Sequence, residues 1–212
     1  MSFVKRPAAA VLAAVAIAAA TLSGCANHAG VAASISGDRI SERQIDSYVT
    51  GKAPSAAAQT TQSPRSLALG QLVQMRVLEQ ALKATKGGLP SDAQLAAVHD
   101  DALQLFGESA TGSDYDKALL TSVQSFGLNT RFRDVVLRSL ELEYAYIQRS
   151  GVSSAAELAT SIEKLSIPIT VAGRYGKWDP AQLSVSTDGA AGAPSFVSLP
   201  GIPPSASATA SS

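Results

Sequence analysis

The chain has 212 residues with 17 basic and 17 acidic side chains, a balance that gives no general electrostatic reason to bind nucleic acid or an anionic membrane surface. Its single cysteine cannot form an internal disulfide, and two histidines offer little for a metal site. Apolar residues make up 46% and aromatic ones only 5%, with abundant Ala, Leu and Val, which favours a helical core over a β-sandwich.

The chain opens on a short basic stretch, Met1–Arg6, followed by an unbroken apolar run from Ala8 to Leu22. That run is shorter than the roughly 20 apolar residues of an ordinary membrane-spanning helix. Small residues Ser23 and Gly24 then precede Cys25. A charged start, an apolar middle and a small-residue cleavage site predict a secretory signal over residues 1–24. Its removal leaves 188 of the 212 residues and takes away Lys5 and Arg6, so 15 basic side chains face 17 acidic ones.

Leu22-Ser23-Gly24-Cys25 resembles a bacterial lipobox. The resemblance implies that the Cys25 thiol receives diacylglycerol, that the signal is cut before it, and that the new amino terminus is acylated. Two or three acyl chains, at about 0.8 kcal/mol per buried CH₂, would hold the protein on the bilayer. The expected location is the extracytoplasmic face of the cell membrane. Residues 25–30 form the lipidated tether, which includes His28.

Val31, Ala33 and Ile35 alternate, Gly37-Asp38 follow, and Ile40 comes next, which predicts a strand, a tight turn and a second short extended stretch. Ser41 and Gln44 have capping-box spacing and predict a helix from Glu42 to about Thr50. Residues 53–64 have loop chemistry. The strongest helix spans Ser66–Gly88. Its residues Val73, Met75, Val77, Leu78, Ala81 and Leu82 cover more than half its circumference, with Arg76, Glu79, Gln80 and Lys83 on the rest. So broad an apolar face marks a central element, and Gly87-Gly88 is expected to end it.

Ser91 and Gln94 predict a helix to about Phe106 with the stripe Leu95, Val98, Ala102 and Leu105. Ser113 is expected to cap a helix carrying Leu119, Leu120, Val123 and Phe126, stopped by Gly127. A long helix follows over Asn129–Gly151, with Phe132, Val136, Leu140, Tyr144 and Ile147 at helical spacing. Ser154 and Glu157 open one more, bearing Leu158, Ile162 and Leu165. Ile167, Ile169 and Val171 alternate as a strand that Pro168 confines to an edge, and its expected partner is the strand near Val31. Residues 181–212 are rich in Ser, Ala, Gly, Pro and Thr, with too little apolar surface to offset ordering, and are expected to form a disordered tail.

No nucleophile elbow, phosphate loop or other catalytic arrangement is legible, so no catalytic residue, cofactor or metal is expected. His99 lies about 40° from Leu95 on its helix, the position of a partly buried helix-edge histidine. Asp100 and Asp101 point about 100° apart and read as a solvated face. Arg174, Tyr175, Lys177 and Trp178 form a basic-aromatic cluster; packing of the last strand is the favoured reading and a client or headgroup contact the other.

The segments "AASISGDRI", "SERQI", "LVQMRVLEQALKATKGG", "SDAQLAAV", "FRDVVLRSLELEYAY" and "RYGKW" occur in this order. Together they resemble the N-terminal chaperone domain of SurA-like foldases, in the form carried by actinobacterial lipoproteins, over residues 31–180. Trigger factor and PrsA-type foldases share related helical architecture. The resemblance implies a mainly α lobe with a short strand at each end of the domain, holding unfolded or partly folded secreted polypeptides without nucleotide hydrolysis. The chain has no room for the parvulin prolyl-isomerase module of many members, so that activity is not carried over. The expectation is a non-enzymatic holdase or assembly factor; the alternative is a scaffold lipoprotein docking one envelope partner. Met75 is a candidate for client contact by its adaptable side chain, although it, Leu78, Leu95, Phe132 and Tyr144 are first of all core residues.

Overall fold

A computed structural model describes residues 30–56, 62–106 and 112–186. The lipobox Leu22, Ser23 and Gly24, the lipidation candidate Cys25, the tether's His28 and the tail from residue 187 lie outside the described residues, as does the Leu105 side chain.

Strands β1 (Val31–Ile35) and β2 (Asp38–Ser41) form an antiparallel hairpin. Its two turn residues, Ser36 and Gly37, take φ of 49° and 91°, the paired positive values that match a hairpin's twist. β1 puts Ala33 and Ile35 into the core. α1 (Glu42–Asp46) starts where expected, with Ser41 Oγ accepting from Gln44 N at 3.1 Å. It stops well short of Thr50. Tyr48 to Thr50 instead run beside Gly127 to Asn129: Asn129 N donates to Tyr48 O and Thr50 N to Gly127 O, and Val49 bridges Leu128. A distant partner thus claims the backbone groups that a longer helix would have used.

α2 (Pro64–Ala84) is the central element, buried on nearly every side. Ser63 caps it, with Pro64 in the first turn, where a missing N–H costs nothing. It ends on extended Thr85 (φ −83°, ψ 159°), whose Oγ1 donates to Leu82 O at 2.7 Å. Termination therefore precedes the expected Gly87-Gly88 pair.

The segment from Ser91 to Phe106 is two helices, α3 (Asp92–Ala97) and α4 (His99–Phe106), where the sequence predicts one. The full capping box of Ser91 and Gln94 is present. Val98, at φ −103° and ψ 4°, breaks the run. α5 (Gly112–Ser125) begins one residue ahead of the Ser113 expected to cap it, and the turn at Gly127 follows its last residue. That glycine is required: its φ is 76°, and a Cβ there would sit 2.3 Å from the Lys52 carbonyl oxygen.

α6 (Phe132–Ser150) lies along α2, and α7 (Ala155–Glu163) follows under a Ser154 cap. Phe132, Val136 and Leu140 are fully buried, as the spacing predicts, and Leu142 and Tyr146 extend the buried face. β3 (Ile169–Val171) pairs antiparallel with β1, so the sheet order is β2-β1-β3. The two ends of the domain meet in this sheet, with the strand following Pro168 at its edge.

β4 (Lys177–Asp179) and β5 (Ser184–Ser186) form a second hairpin, and β5 also packs on α2. This corrects the tail boundary. Leu183 and Val185 are 8% and 6% exposed, so folded structure continues past Pro180, at least to Ser186. Asp179 Oδ1 accepts from Ala181 N at 2.9 Å and forms the turn that returns the chain. Seven helices and five short strands among the described residues make the fold mainly α.

Candidate functional site

A hollow of about 360 Å³ opens where α1, α2 and α6 meet, bounded by Ser47, Tyr48, Met75, Arg131, Asp134, Val135 and Arg138. Met75 and Val135, 9% and 7% exposed, are its buried apolar members. Half-buried Tyr48 is braced edge-on against Phe132, with ring centroids 5.4 Å apart. The early end of α1 is what brings Ser47 and Tyr48 here. Asn129 Nδ2 donates to Ser47 O at 2.7 Å and Arg131 Nη2 donates to the same oxygen at 3.3 Å.

The rim is polar and net positive. Asp134 accepts from Arg133 at 2.9 Å, and Arg138 donates to Asp92 at 2.8 Å. Asp92 is 93% exposed, so this second pair exchanges readily with water or another carboxylate. Among the described residues Arg131 forms no ion pair. Met75, expected first of all as a core residue, is buried and also forms a wall of an open hollow. The two arginines beside it share one face of α6 by their seven-residue spacing, but only the packing of α6 on α2 sets that face beside Met75.

A second depression, about 470 Å³, lies between the end of α6 and α7, lined by residues including Val152, Glu157, Thr160 and Lys164. None of its lining residues is buried, so it lacks an apolar floor.

The Arg174–Trp178 cluster takes its structural role. Buried Tyr175 donates its hydroxyl to Glu42 Oε2 at 2.6 Å, and Arg65 and Arg174 both donate to the same carboxylate. Arg65 also pairs with Asp46, and Arg174 stacks over the Tyr175 ring at 5.2 Å. Partial burial works to raise the Glu42 carboxyl, but the hydrogen bonds from Tyr175, Arg174 and Arg65 outweigh it and hold the group below its usual range. This clasp ties α1, α2 and the C-terminal segment together. Trp178 is half-buried against the core.

His99 is partly buried, as its helix-edge position implies, and its Nδ1 lies 2.8 Å from Glu141 Oε1 on α6. Asp100 and Asp101 are exposed. Glu143 is buried in α6, its Oε2 lacks a hydrogen-bond partner among the described residues, and burial pushes its carboxyl up to about 7. Tyr115 is pushed up to about 12 by burial and the neighbouring Asp116 charge. Among the described residues no cluster of three His, Cys, Asp or Glu side chains is placed to hold a metal, and no helix is long and apolar enough to cross a membrane.

Comparison with protein-family models, curated proteins and solved structures returned no match for this chain.

Proposed function

We propose that this chain is a membrane-anchored, extracytoplasmic lipoprotein whose SurA-like helical lobe holds unfolded or partly folded secreted polypeptides without chemically changing them. The observation that carries the reading is the open hollow of Tyr48, Met75 and Val135 with its polar rim. Its floor offers apolar surface to a passing side chain, and its shallow mouth releases that side chain again. Met75 suits varied partners, because an unbranched thioether adapts to their shapes. Burial at about 25 cal/mol per Å² would favour binding, and lost translational and chain freedom offsets most of it. Affinities near micromolar follow. The lipobox residues Leu22 to Cys25 supply the anchor, placing the lobe close to the bilayer surface.

The test is light scattering of several unrelated proteins diluted from denaturant, with and without the full chain. Delayed aggregation of most of them supports the reading. No delay for any of them sinks it.

A further inference from the structure

We propose that the hollow selects acidic segments: it takes a stretch of polypeptide in which an apolar side chain is flanked by carboxylates. The inference rests on the polypeptide-holding reading and names the chemistry that such a site prefers. Charge complementarity carries it. Of the charged side chains on the rim, Asp134 is already engaged by Arg133, whereas Arg131 has no carboxylate partner among the described residues. Arg138 is paired only with the highly exposed Asp92, an exchangeable contact. An incoming carboxylate therefore meets two guanidinium groups, and an incoming ammonium only Asp134 and Asp92, each already beside an arginine.

The spacing gives the pattern. Arg131 and Arg138 stand seven residues apart, roughly 10 Å along a helix at 1.5 Å per residue. An extended chain advances about 3.3 Å per residue and turns alternate side chains to one side. Carboxylates four residues apart, about 13 Å, therefore face the rim together, and the long arginine side chains reach both. The apolar side chain between them then lies over Met75 and Val135. Arginine also suits the task because its planar fork accepts a carboxylate in bidentate fashion. Such rim charges act chiefly on association rate and specificity, and the preference should weaken with salt.

The experiment uses the full chain in neutral detergent and short fluorescein-labelled peptides sharing one apolar centre, flanked by Asp, Ser or Lys. Anisotropy titrations at low and high salt read the affinities. The expected order is Asp over Ser over Lys, with about a tenfold gap between the extremes at low salt. In Arg131→Gln the gap should shrink at least about threefold. That variant leaves Ser47 O still accepting from Asn129, so the fold is retained, and a thermal melt verifies it. Equal affinity for all three peptides, or a preference that survives Arg131→Gln, overturns the inference and leaves the holding reading intact. Binding of no peptide overturns both. Concentration-dependent self-association that Arg131→Gln abolishes shows a second copy of this chain as the occupant, and likewise overturns it.

Discussion

Glu42 gathers one hydroxyl and two guanidinium groups, from Arg65 at the start of α2 and from the adjacent Arg174 and Tyr175, so its loss is felt at both ends of the domain. Glu42→Gln should cost about 1–2 kcal/mol, allowing for the exposure of both arginines, and Tyr175→Phe about 1 kcal/mol, read as shifts in urea midpoint. Because the folded state depresses this carboxyl, its contribution is present above the unfolded value and disappears as pH falls through the folded one. Glu143 has the opposite sign. Its pKa is raised from 4.5 to about 7, so the stability that the protonated buried form contributes is full below pH 4.5, declines above it and is lost as pH passes about 7. Glu143→Gln should therefore raise the melting temperature at pH 8, by the equivalent of about 2–3 kcal/mol, and change little at pH 4. Equal effects at both pH values would contradict the burial of an ionisable group there. Little of this was legible in the sequence. Glu42 and Tyr175 lie 133 residues apart, and Glu143, although Leu140, Tyr146 and Ile147 share its helix face, is a residue type that ordinarily faces water.

Elements were legible where a local signal and a distant partner agreed. The alternation in β1 and β3, the caps at Ser41, Ser91 and Ser154 and the breadth of α2's apolar face all persist in the structure. Differences arise where a partner overrides local propensity. α1 ends early because Tyr48 and Thr50 bond to the loop after α5. β5 escaped notice because averaged composition conceals Leu183 and Val185, two apolar residues that suffice once β4 and α2 cover them. Replacing both with Ala should lower stability by about 2–4 kcal/mol, measured by calorimetry, whereas a tail without structure would show no change. Gly127→Ala tests the α5 stop. It incurs the left-handed backbone cost and a clash with the Lys52 carbonyl, about 3 kcal/mol together, whereas Gly51→Ala, with φ 78° and nothing within 4 Å, should cost only about 1–2 kcal/mol.

On the scale of the molecule, the proposed function depends on the proposed lipid anchor and on the open hollow. Cys25→Ala should move the protein from the membrane pellet to the soluble fraction, and an unchanged distribution would contradict lipid attachment. The hollow was half legible: Met75 stood out by its soft side chain and the seven-residue spacing of Arg131 and Arg138 was there to read, but only the packing of α6 on α2 sets them around one opening. The measurement closest to the central claim is photocrosslinking in the native envelope from a reactive residue placed at exposed Ser47, followed by identification of the adducts. The proposed function predicts many different secreted chains, enriched in acidic-apolar stretches, captured before they fold. A single stoichiometric partner from that position, or folded proteins alone, would contradict it.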